Sequence, residues 1–126
     1  MANDDGEYAA MGDTTNAPNL GTEGSCGGGG RHHHGLARFT PAMAGRYRCG
    51  LDAGNEDTIL YVRTHCSVDD PAAELACNDD APAGSGLPER GSLVEFNVGE
   101  NETVYLFVDG FGAGFETQFS LVCRGL

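Results

Sequence analysis

Lysine and tryptophan are absent from this chain of 126 residues, and basic charge is scarce. Its seven cationic side chains are all arginine, set against 19 carboxylates. The formal charge of −12 excludes a general affinity for nucleic acid or anionic membrane surfaces, because that affinity comes from clustered cations that neutralise phosphates. Long apolar runs are missing too. None approaches the roughly 20 residues of a membrane-spanning helix, so membrane insertion is not expected. No window keeps apolar residues at helical spacing for three turns. The one short candidate, Asp70 to Ala76, has a proline at its start, Pro71, and is too short to stand alone.

Glycine, by contrast, is abundant at 20 residues, with six phenylalanines to build a core. Many turns around a thin core describe a small all-β sandwich better than a helical bundle. At this length one domain is expected. Five cysteines in a small, loop-rich chain point to an oxidising, extracellular or cell-surface setting. Met1-Ala-Asn-Asp-Asp5 lacks the apolar stretch of a secretory signal, so the chain reads as a mature or excised piece of a secreted protein.

Residues 1–24 form a polar leader in which only Glu7 to Met11 has strand character, and they are expected to fray or to serve as an added edge strand. The sandwich itself is assigned to residues 25–126. The Gly27–Gly30 run is a connector, since no Lys-Ser/Thr pair or helix start follows it. His32, His33 and His34 alternate in direction on extended backbone, so at most two share a site, and with only His65 besides they read as exposed polar residues.

Strands follow at sandwich spacing. Leu36 to Thr40 comes first. In Gly45 to Leu51, Tyr47, Cys49 and Leu51 point inward while Arg46 and Arg48 point outward. Asp57 to Thr64 is rich in β-branched and aromatic residues, and Glu74 to Asn78 returns beside it. Ser92 to Val98 alternates, Thr103 to Val108 is apolar on both faces and so central, and Thr117 to Cys123 closes the sheet. Seven to eight antiparallel strands in two sheets are expected.

Cys66 and Cys77 flank an acidic loop turned by Pro71, and a bridge between them is expected to contribute about 3 kcal/mol by the loop-entropy model. For the remaining three cysteines, Cys26 with Cys123 is favoured, which leaves Cys49 as a buried thiol. Cys49 with Cys123 is the rival pairing, because spacing does not determine connectivity.

Phe39-Thr-Pro41, Ala44-Gly-Arg-Tyr47, Asp57 to Arg63, Glu74-Leu-Ala-Cys-Asn-Asp-Asp80 and Val104 to Gly110 together resemble the bacterial pre-peptidase C-terminal domain family, in the form found in secreted proteins of myxobacteria. The likeness spans about residues 21–123. It implies a jelly-roll β-sandwich that is secreted, non-catalytic and related to collagen-binding domains. His32 to His34 depart from the family pattern.

The inventory of side chains also argues against an enzyme. Ser25, Ser67, Ser85, Ser92 and Ser120 all lie outside a Gly-x-Ser-x-Gly elbow, and most cysteines are better used in bridges. The acidic corner is a candidate calcium site, since Asp57, Asn78, Asp79, Asp80 and Asp109 offer hard oxygen ligands at strand ends. The competing reading is that each of these side chains caps its own turn. For a contact surface the candidates are Arg46, Arg48, Phe111 and Phe115, joined on the outward side by Arg38 and Arg63, because arginine and aromatic side chains anchor interfaces. Three functions follow: a secreted binding or adhesion module for a protein or polysaccharide surface, a self-associating structural subunit that lends its leader as a strand, and a metal binder using the histidines.

Overall fold

Alternation along the strands decides which side chains share a face, and two such faces meet to form the core. The computed structural model describes residues 8–13, 35–54, 57–65, 73–78, 84, 87, 91–110 and 118–126. The strands are β1 (Tyr8–Asp13), β2 (Gly35–Phe39), β3 (Gly45–Asp52), β4 (Thr58–Arg63), β5 (Glu74–Asn78), β6 (Ser92–Val98), β7 (Val104–Gly110) and β8 (Gln118–Gly125).

They pair antiparallel throughout, in two four-stranded sheets of order β1-β8-β3-β6 and β2-β7-β4-β5. This order is that of a jelly-roll β-sandwich. β1, drawn from the leader, lies at one edge of the first sheet.

Between the sheets, Tyr47, Cys49 and Leu51 of β3 meet Leu60 and Val62 of β4 and Leu106 and Val108 of β7. Phe39 is the hub. Its ring lies 5.4 Å from Tyr8, 5.1 Å from Tyr47 and 6.3 Å from Phe96, tilted or edge-on to each, which is the arrangement ring quadrupoles favour. All six residues of β4 are buried, so the second sheet is covered on its outer face as well. There Ile59, Tyr61 and Phe107 make a second cluster, with the Tyr61 and Phe107 rings stacked at 4.9 Å.

Polar stitches join the sheets along the β5–β6 side. The Thr58 and Ser92 hydroxyls lie 2.7 Å apart, Ser92 Oγ donates to the Thr58 carbonyl at 3.0 Å, and the Leu93 N–H donates to Asn78 Oδ1 at 3.0 Å. Each satisfies a group that burial would otherwise penalise. The turn from β6 to β7 holds Asn101 at φ 58°, a left-handed position that asparagine tolerates.

Two expectations from sequence are corrected here. Cys123 pairs with Cys49, not Cys26, so Cys49 is not a free thiol. The reason is strand order: β3 and β8 are neighbours, Cys49 lies directly opposite Cys123, and their Cα atoms are 4.0 Å apart. The strand beside β8 on its other side is β1, which ends well before Cys26 in sequence. Cys77 is also disulfide-bonded, while Cys66 and Cys26 lie outside the described residues. The second correction concerns Arg63. It does not point outward to solvent but is 1% exposed, because the outer face of β4 is itself buried.

Candidate binding site

Turned away from the core, alternate residues of β3, β6 and β8 make the outer face of the first sheet. Arg46 and Arg48 stand on β3 with half of each side chain exposed. The register sets Arg48 opposite Glu95 on one side and opposite Arg124 on the other. Glu95 fastens both β3 arginines: its Oε2 accepts from Arg48 Nη2 at 2.8 Å and Nε at 3.0 Å, and its Oε1 lies 3.4 Å from Arg46 Nε.

The hydrogen bond from Arg48 holds the Glu95 carboxyl below the usual carboxylate range, and the charges of Arg48 and Arg46 add to this against the opposing pull of burial. With its pKa lowered, Glu95 favours the native state above its ordinary pKa and loses that contribution only as pH falls through the lowered value. At neutral pH the arginines are therefore held in place by an ionised partner. The pair is exposed and adds little to stability.

Beside the arginines runs a shallow groove of about 440 Å³, floored by Gly50, Leu93 and Val122 and walled by Leu87, Arg48 and Arg124. A Cβ at Gly50 would stand 3.2 Å from Leu87 Cδ1, so the Leu87 side chain would have to give way slightly. Three of seven arginines share this sheet face with the carboxylates of Glu95 and Asp52, which leaves a local positive excess in a chain of charge −12. A guanidinium is able to grip a carboxylate or another planar anion with paired donors.

Other candidates are placed differently. Asp109 is fully buried at the end of β7, opposite Ile59, and Asp57 lies half-buried just before β4. Asn78 lies opposite Leu60, on the other face of the same sheet, and its Oδ1 is committed to Leu93. Asn78 is thus a stitch between the sheets. Asp79 and Asp80 are outside the described residues, as are Phe111, Phe115 and His32 to His34. Among the described residues no group of three or more His, Cys, Asp or Glu side chains is placed to hold a metal.

Arg124 was not singled out from sequence. It lies past the apolar pattern of β8, and only the pairing of Arg124 and Gly125 with Arg48 and Tyr47 carries the strand that far. The alternating run Phe119, Leu121, Cys123, continued by two positions, was the available signal.

No family model matches the chain, and no curated protein matches it in sequence. Among solved structures, the fold is similar to the pre-peptidase C-terminal domain of a collagenase from Bacillus anthracis, known from a 1.0 Å crystal structure. The TM-score is 0.56 at 11% identity, over 94% of this chain and 89% of that one. At that identity the likeness speaks for the fold, a pre-peptidase C-terminal type of β-sandwich.

Proposed function

We propose that this chain is a non-catalytic, secreted binding module that holds a carboxylate-bearing partner on the outer face of its first sheet. The observation that carries the reading is the island formed by Arg46, Arg48 and Arg124 beside an open groove in an otherwise acidic chain. Support for secretion comes from Cys49, Cys77 and Cys123, all disulfide-bonded, a state that persists in oxidising compartments. Support for a module without turnover comes from the fold it shares with an appendage of a collagenase, and from serines that lie outside any nucleophile elbow.

The test is retention of the full chain by polygalacturonate, with neutral dextran as control. Arg48→Gln with Arg124→Gln should weaken binding roughly tenfold or more, as expected when charged donors are removed from an anion site. Added salt should weaken wild-type binding in the same direction. Equal retention by the variant, or no preference for the charged polymer, would overturn the proposal.

Calcium stabilisation is a separate element of the reading and draws on Asp57, Asn78, Asp79, Asp80 and Asp109, of which Asn78 Oδ1 also accepts from the Leu93 N–H. An ion bound only to the native state raises the melting temperature once it exceeds its dissociation constant. A higher melting temperature in millimolar calcium than in chelator is expected. Superimposable curves remove calcium from the account and leave the arginine face untouched.

A further inference from the structure

Strand register arranges the outer face of the first sheet in rows that run across β6, β3 and β8. Along β3 the outward residues Arg48, Gly50 and Asp52 follow one another at steps of about 6.7 Å. Arg48 lies between Glu95 and Arg124, Gly50 lies between Leu93 and Val122, and Asp52 lies opposite Ser120. The groove of about 440 Å³ crosses all three rows. From one end to the other its lining is cationic, then apolar, then acidic.

In the first row Glu95 engages two of the five N–H donors of Arg48, so the guanidinium has donors in number for a second carboxylate. The middle row is half-buried and apolar. Gly50 brings no side chain to it, and Leu87 Cδ1 leans over to 3.2 Å from where a Cβ would stand. In the last row Asp52 is exposed, and its Oδ1 accepts from the Gly54 N–H at 2.9 Å, which fixes the carboxylate at the strand end.

We propose that this groove holds an extended segment of a partner protein that carries an acidic, an apolar and a basic side chain at alternate positions. The inference rests on the carboxylate-binding reading of the arginine face and names the class of partner for it. In an extended chain, residues two apart project to the same side about 6.7 Å from each other, the step that separates the rows of the sheet. The acidic side chain then meets Arg48 and Arg124. The apolar one meets Leu93, Leu87 and Val122, and the basic one meets Asp52 and Ser120. Charge fixes which way round the segment lies, because turning it sets carboxylate against Asp52 and cation against the arginines. A polysaccharide with a carboxylate on every sugar matches the first row alone. It sets further carboxylates against Asp52 and offers no aliphatic side chain to the apolar row.

Heteronuclear NMR titration of the full chain with short capped peptides tests this, beside retention on polygalacturonate. A peptide containing Glu-Ser-Leu-Ser-Arg should shift the amide signals of Arg48, Gly50, Asp52, Val122 and Arg124 together. Replacing its leucine by serine should weaken binding roughly tenfold, as expected for a partly buried aliphatic side chain. Replacing its arginine by glutamate should weaken binding roughly fivefold. In Asp52→Asn, which keeps an acceptor for the Gly54 N–H, that preference should vanish. Retention on polygalacturonate without peptide binding overturns this proposal alone, and loss of both overturns the anion site with it. Equal binding of the leucine and serine peptides, a charge preference that survives Asp52→Asn, or amide shifts confined to another face also overturns it. So does tighter binding of trigalacturonate than of the peptide, which assigns the groove to a polysaccharide.

Discussion

Replacing both Cys49 and Cys123 by alanine is expected to remove about 4 kcal/mol of stability, which is a large part of what a domain of this size possesses. The bridge joins residues 74 apart in sequence, so it closes most of the chain into one loop. In the chain-entropy account the gain rises with the logarithm of loop length, which makes this bridge worth more than one closing the short Cys66–Cys77 loop. Both cysteines are fully buried, directly opposed and at the centre of the first sheet, between β6 and β1. Their loss therefore also removes packed sulfur from the core. Chemical denaturation should show the change as a lower midpoint, and the melting temperature should fall by roughly 15 °C. A loss below about 1 kcal/mol would mean that the unfolded chain gains little freedom when the bridge is cut.

Glu74→Ala is expected to cost about 3 kcal/mol, although it removes only one ion-pair partner from a short strand. Glu74 Oε1 lies 3.4 Å from Arg63 Nη2, with side-chain exposures of 8% and 2%. The Arg63 guanidinium sits 4.7 Å from the Tyr61 ring centroid and 5.6 Å from that of Phe107. Stacking on those faces holds the guanidinium in place but does not replace a carboxylate. Removing Glu74 takes a counter-charge from a buried cation, and the penalty of breaking such a pair exceeds the net worth of the pair itself. Arg63→Met together with Glu74→Leu should recover most of the loss, because apolar side chains of similar volume avoid the desolvation cost altogether. Denaturation of the two variants side by side decides the matter. If the double variant is no more stable than Glu74→Ala, packing around Arg63 matters more than its charge.

Much of this molecule is legible in the chain itself, wherever burial of a single face dictates local alternation. Tyr47, Cys49 and Leu51 facing in, with Arg46 and Arg48 facing out, follow from a period of two residues and need no knowledge of the neighbouring strands. Likewise, the apolar run from Val104 to Val108 marks β7 as covered on both sides. The predominance of glycine over aromatic residues and the lack of helical periodicity already select an antiparallel sandwich.

Tertiary structure alone decided which strands lie side by side, and everything that hangs on neighbours was hidden until then. Cys49 finds Cys123 because β8 enters between β1 and β3, a placement no local pattern encodes. Arg124 joins Arg48 because β3 extends β8 beyond its apolar residues, and Asn78 stitches the two sheets because its place in β5 brings it to the Leu93 N–H. Arg63 is the clearest case. Alternation assigns it to the outer face of β4, but only the rings of Tyr61 and Phe107 and the carboxylate of Glu74, brought from two other strands and its own, make that face an interior. The physical reason is one of range. Alternation answers to water on one side and core on the other, residue by residue. Strand order is settled by the summed packing and hydrogen bonding of distant segments against the entropy of closing long loops.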